Sequence, residues 1–181
     1  TALWITEALE PSTTLVLVPS LSLLSQTLSE WAKNANTKWD YLCVCSDETV
    51  NKSDDAPIST TDDLPFDVTT KPADIAAFLE RRGRKIIFST YQSSAQVAKA
   101  QKVAGKKFDL WHDRAVFHFL TDPAARQAYV DLVRGSVKPG GYVLMATFGP
   151  NGPFQCSGLD VVRYDDAKLH NEFGEGFQLM G

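Results

Sequence analysis

His112, Asp113 and Arg114 stand side by side after Phe108-Asp109-Leu110-Trp111. An imidazole, a carboxylate and a guanidinium in a row offer an acid, a base and an anion clamp. The run before them reads as an apolar strand, and α/β sheets bind ligands outside the carboxyl ends of their strands. One reading therefore makes the three a cleft. The other pairs Asp113 with Arg114 or a neighbouring helix end as a structural network. The second is favoured, because a cleft attracts such residues without being an activity. Ser89, Thr90, Tyr91 and Gln92 lie between another strand and a helix, and Ser20 follows the first strand in the same way, so their side chains suit helix caps. His118 alternates with apolar residues and reads as a core or helix-start histidine, and His170 as a surface one. Cys43 and Cys45 form a Cys-x-Cys without a second ligand pair, which gives no metal site. Trp4, Trp31, Trp39 and Trp111 have the residue type for base stacking, but their spacing with Leu and Val favours core packing. No residue is assigned a catalytic role.

These groups need elements to hold them. Residues 2–9 form an amphipathic pattern broken by Glu10-Pro11-Ser12-Thr13, and 14–19 are continuously apolar, as in a strand buried on both faces. Ser20 caps a helix over 21–35, and 39–45 are a second strand. Residues 46–70 are a polar Ser/Thr/Asp-rich loop. A helix over 71–82, a strand over 85–90 and a helix over 93–103 closed by Gly105 follow. Residues 108–111 are a strand, and Thr121-Asp122-Pro123 starts a helix to 133. Lys138-Pro139-Gly140-Gly141 is a turn, 142–148 a strand apolar enough to be buried on both faces, and 165–173 a helix. Residues 177–180 look like a cut-off strand. Strands alternating with helices predict a three-layer, mainly parallel, Rossmann-like α/β sheet of five or six strands with helices on both faces. The expected neighbour of the 108–111 strand is 142–148. All 181 residues are expected to form a single domain.

With 44% hydrophobic and 22% charged residues the chain has the composition of a folded globular protein. A net charge of −4 argues against a dedicated nucleic-acid binder. Three cysteines without framework spacing suit a reducing compartment, so a cytoplasmic location is expected. No run is long and apolar enough for a membrane span.

Three runs carry a first resemblance: residues 15–28 (Leu-Val-Leu-Val-Pro-Ser-Leu-Ser-Leu-Leu-Ser-Gln-Thr-Leu), 41–47 (Tyr-Leu-Cys-Val-Cys-Ser-Asp) and 86–93 (Ile-Ile-Phe-Ser-Thr-Tyr-Gln-Ser). On these, residues 1 to about 110 resemble the first motor domain of superfamily-two helicases of the restriction type. The resemblance implies DNA-backbone contact by Ser20 and by Ser89, Thr90, Tyr91 and Gln92, against which capping remains the favoured reading. The 181 residues contain no phosphate loop ending Gly-Lys-Thr, and Trp111-His112-Asp113-Arg114 replaces the family's acidic Asp-Glu-Ala-His. Both halves of an ATPase site are missing.

A second resemblance starts at the same strand. Residues 109–120, 138–148, 156–159 and 162–164 resemble the C-terminal half of class I S-adenosylmethionine-dependent methyltransferases, and that likeness also places Asp113 and His112 at a cleft. The early Gly-x-Gly cofactor loop of that family is not in the sequence. Together the two resemblances imply a chimera, and the abrupt start and cut-off last strand imply an artificial or selected one. The expected function is a folded protein with no complete active site, no cofactor and no autonomous catalysis. One alternative is a methyltransferase holding S-adenosylmethionine by a loop such as residues 46–55, and a second is a weak nucleic-acid-binding module. In the helicase-like parent a central strand precedes Thr1, so its loss is expected to leave unpaired neighbours and to favour a homodimer.

Overall fold

In the computed structural model residues 1–46 and 61–180 are described. Thr13–Val18 (β1) and Lys85–Thr90 (β3) are buried at every position, which is why neither strand alternates polar and apolar residues. With Asp40–Val44 (β2), Phe108–Arg114 (β4) and Val137–Ala146 (β5) they form one all-parallel sheet in the order β2-β3-β1-β4-β5. β1 is the centre, registered Leu15↔Ile87 with β3 and Leu15↔Trp111 with β4.

Helices α1 (Ala2–Leu9) and α2 (Leu21–Asn34) lie on one face. There Leu3, Leu21, Leu24, Leu28 and Trp31 bury Val16, Val18, Ile86 and Phe88. Helices α3 (Pro72–Glu80), α4 (Ser94–Ala104), α5 (Pro123–Ser136) and α6 (Asp166–Phe173) cover the other face, over Leu15, Leu17, Ile87 and Trp111. The starts of α2, α5 and α6 are fixed by side chains that accept orphan amides. Ser20 Oγ accepts from the Leu23 N–H at 3.3 Å, an Asp122 carboxylate oxygen from Ala124 at 3.2 Å and Asp165 from Lys168 at 2.7 Å. Gly105, at φ 62°, closes α4.

Five expectations need correction. β4 does not stop at Trp111 but carries His112, Asp113 and Arg114 inside the sheet, because each finds cover or a partner there. Lys138-Pro139-Gly140-Gly141 is no separate turn: β5 already begins at Val137 and absorbs these residues as a register shift against Phe108/Leu110. From Tyr142 to Ala146 no residue of β5 is fully buried, since the strand ends the sheet and helices cover it on one face only. Residues 177–180 are not a strand. The Phe177 ring instead meets Phe173 of α6 edge-on at 5.1 Å, and Leu179 and Met180 are exposed.

The sheet also has no central gap, because β1 is paired on both sides and β5 occupies the far side of β4. A feature the sequence did not announce is a two-stranded ribbon, Gln155–Cys156 (β6) with Leu159–Asp160 (β7). Ser157 and Gly158 turn it with φ of 50° and 77°, the paired positive angles that a tight hairpin requires. Among the described residues no helix is long and apolar enough to cross a membrane.

Candidate functional site

Successive residues of a strand point to opposite faces, and that rule separates the triplet at the end of β4. Asp113 turns toward α5 and is completely buried. Its carboxylate accepts the Val116 N–H at 2.8 Å and the Phe117 N–H at 3.1 Å, which fixes the start of a short 3-10 turn, Phe117–Phe119. It also accepts a short hydrogen bond from the Tyr129 hydroxyl of α5. That hydroxyl in turn accepts from Trp111 Nε1 at 3.0 Å. Burial pushes the Asp113 carboxyl up to about 6, while the bonds from Tyr129, Val116 and Phe117 act to lower it. The Tyr129 hydroxyl is raised by burial and by the Asp113 charge. The arrangement is a closed chain of partners.

His112 and Arg114 point the other way. The His112 ring stacks on Trp31 of α2, with centroids 5.9 Å apart and planes 10° from parallel. Burial first, then Arg114, lowers its pKa to about 4, so it is neutral at physiological pH. Arg114 reaches across to Thr27 of α2 and donates a short hydrogen bond to its hydroxyl. Thus the structure does not bring His112, Asp113 and Arg114 together around one space.

The carboxyl ends of β1, β3 and β4 surround a crevice of about 240 Å³ lined by Pro19, Tyr91, Gln92, Val116, Phe119 and Leu120. It sits where the chain's crossovers change direction, β1 to β2 one way and β3 to β4 the other, the usual ligand position in an open α/β sheet. Its walls carry no charged side chain. Tyr91 and Gln92 supply its polar groups; the Tyr91 hydroxyl is raised by burial and by Asp113. Of the other residues read as DNA-contact candidates, Ser89 and Thr90 are fully buried. Ser89 Oγ donates to the Thr90 carbonyl at 2.9 Å, and Thr90 Oγ1 pairs with Ser93 Oγ at 3.3 Å. Ser20 is engaged as the cap of α2.

His118 is buried against Phe148, stacked at 4.8 Å, and burial lowers its pKa. In the cofactor loop suggested at residues 46–55, residues 47–55 lie outside the described residues. Among the described residues no cluster of three or more His, Cys, Asp or Glu is placed to hold a metal ion.

Sequence reasoning missed Tyr129 and Asp109. The signal for Tyr129 was its place in the buried stripe Tyr129, Val130, Val133, since a buried phenol needs a partner and Asp113 is the nearby acid. Asp109 accepts from the Thr13 amide at 2.9 Å and from Lys138 Nζ at 2.6 Å, tying the starts of β1 and β5 together. Neighbouring positions in the sequence gave no sign of either bond.

No protein-family model and no curated protein matches the chain. Solved structures that resemble it include two restriction-modification enzymes. A nuclease-deletion mutant of the Type ISP restriction-modification enzyme LlaGI, in complex with a DNA substrate mimic, matches 80% of this chain at 26% identity and a TM-score of 0.56. The ATP-dependent Type ISP restriction-modification enzyme LlaBIII, bound to DNA, matches 98% at 22% identity and a TM-score of 0.63. In each case the chain spans only 12% of the length of that enzyme. The likeness agrees with the helicase-like resemblance of the first 110 residues or so. The parallel α/β fold of this chain is one shared with a segment of Type ISP restriction-modification enzymes.

Proposed function

We propose that this chain is a non-catalytic α/β unit, a chimera of a helicase-like first half and a methyltransferase-like second half. The observation that carries this reading is the state of Asp113. The one carboxylate buried at the end of a central strand is spent on the amides of Val116 and Phe117 and on Tyr129. Its neighbours His112 and Arg114 are engaged on the opposite face. The crevice beside them presents an apolar lining with two neutral polar side chains, which suits binding better than proton transfer or phosphate transfer. Calorimetric titration of the 181-residue chain with S-adenosylmethionine and with ATP should give no saturable heat, and ATP hydrolysis should stay at background. Saturable S-adenosylmethionine binding lost on changing a residue of this chain would replace this reading with the methyltransferase one.

A second reading has an observation of its own. Pro19, Tyr91 and Gln92, from the two segments that resemble DNA-contacting helicase motifs, line the crevice together, and both similar structures were solved with DNA or a mimic of it. On this reading the chain binds single-stranded DNA weakly. Neutral contact groups release few counterions, so the affinity would depend only shallowly on salt. Fluorescence anisotropy with a labelled oligonucleotide tests it: Gln92→Ala should weaken binding several-fold, and no binding by the unaltered chain would sink it.

A further inference from the structure

The outer edge of β5 is unguarded. Ala146 is registered with Arg114 and its carbonyl accepts the Ala115 N–H at 3.1 Å, so Ala146 directs its backbone toward β4. Backbone direction alternates along a strand. Val143 and Met145 therefore aim N–H and C=O away from the sheet, where no described strand meets them. Edges of this kind are normally blunted by charge, proline or cover. The opposite edge of the sheet is so treated: Asp40 is exposed on β2, Cys43 bridges to Val68, and Thr69 donates to the Cys43 carbonyl at 3.1 Å. On β5 such devices stand only at its start, Lys138 and Pro139, and from Tyr142 to Ala146 no described residue blunts the edge. Between Pro139 and Pro150 lie ten residues, 140–149, without one charged side chain, in a chain of net charge −4.

We propose that this edge pairs antiparallel with β5 of a second copy, about a two-fold axis at Leu144. The occupant is chosen by charge and shape. A partner of opposite charge has nothing to attract it here, whereas a copy of the same neutral edge meets no repulsion. Of the cations beside it, Lys138 is bound to Asp109 and Arg114 to Thr27 of α2. Centring on Leu144 sets the outward-facing Val143 against Met145 of the partner subunit, as the exchange of backbone hydrogen bonds requires. It also sets Tyr142, 41% exposed, against Ala146 of the partner subunit, a large side chain over a small one. Tyr142 and Leu144 share the face of His112, where β5 is not covered by a helix. Pro139, which has no N–H to donate, bounds the ladder on one side and the end of β5 at Ala146 on the other. The association is isologous and closes on itself. It does not depend on the chain being catalytic or not.

Light scattering coupled to size exclusion should give twice the monomer mass at high concentration, falling to the monomer mass on dilution. Leu144→Lys would set two ammonium groups against each other at the axis and should give a monomer with an unchanged thermal melt. Hydrogen exchange of the unaltered chain supplies a readout free of mutation: the Val143 and Met145 amides should exchange more slowly as concentration rises. A monomer at every concentration, a dimer that survives in folded Leu144→Lys, or exchange at Val143 and Met145 that ignores concentration would each overturn the proposal.

Discussion

Asp113 and His112 are adjacent residues whose protons act on stability in opposite senses. The folded-state pKa of Asp113 is raised to about 6, so its contribution is fully present below the unfolded carboxyl value and is lost as pH rises through about 6. The pKa of His112 is lowered to about 4, so its contribution is present above the unfolded imidazole value and is lost as pH falls toward 4. His118, also lowered by burial, works in the sense of His112. Each of the first two effects is on the order of 3 kcal/mol at full extent, from about two units at 1.36 kcal/mol each. Over the shared window they offset one another, and the unaltered chain should show a shallow pH dependence. Asp113→Asn should leave a protein that loses stability on acidification, and His112→Phe, which keeps the ring on Trp31, one that gains relative to it. Urea unfolding at a series of pH values measures both; parallel slopes in the two variants would refute the assignment. The sequence placed these residues at a strand end correctly; of the two partners it offered Asp113, the neighbouring helix start holds, through the Val116 and Phe117 amides, and Arg114 does not. In a strand, neighbours in sequence are on opposite faces, so the partners that matter came from α2 and α5.

At the scale of elements, the legible parts were those with local causes. Ser20, Asp122 with Pro123, and Asp165 mark helix starts, and Gly105 marks an end, because each acts on amides or dihedrals within a few residues. The parts that stayed hidden depend on distant chain. Polar residues could extend β4 only because Tyr129 and Thr27 were waiting for them. The Gly-rich start of β5 became strand because Gly141 lets the chain pass close to β4. A Cβ there would sit 2.9 Å from the Asp109 carbonyl oxygen and 3.0 Å from that of Lys138, both backbone atoms with little room to give. Gly141→Ala should therefore destabilise by about 1–3 kcal/mol. Gly135, in α5, is the counterpart, since a Cβ meets nothing within 4 Å there. Gly135→Ala should stabilise by about 0.5–1 kcal/mol through helix propensity. Chemical denaturation of the pair reads both signs, and two shifts in the same direction would contradict this account.

For the molecule as a whole, the sheet joins the two segments that the sequence distinguishes. β1 is registered Thr14↔Leu110 and Leu17↔Asp113 with β4, so residues before and after position 110 share one sheet. Unfolding should therefore be a single transition, with far-UV circular dichroism and tryptophan fluorescence coinciding; two separated transitions would show two independent units. The same strand order has a consequence for how the chain is made. β1 leaves the ribosome well before its two neighbours, since β3 begins at Lys85 and β4 at Phe108. At about 5–20 residues per second, the centre of the sheet waits several seconds or more for its flanks. Until then its Leu-Val-Leu-Val segment is unpaired and open to chaperones or to a neighbouring nascent chain. Slow, long-range closure of this kind makes yield in the cell depend on the rate of translation, and slowing synthesis before Phe108 should lower the fraction recovered folded.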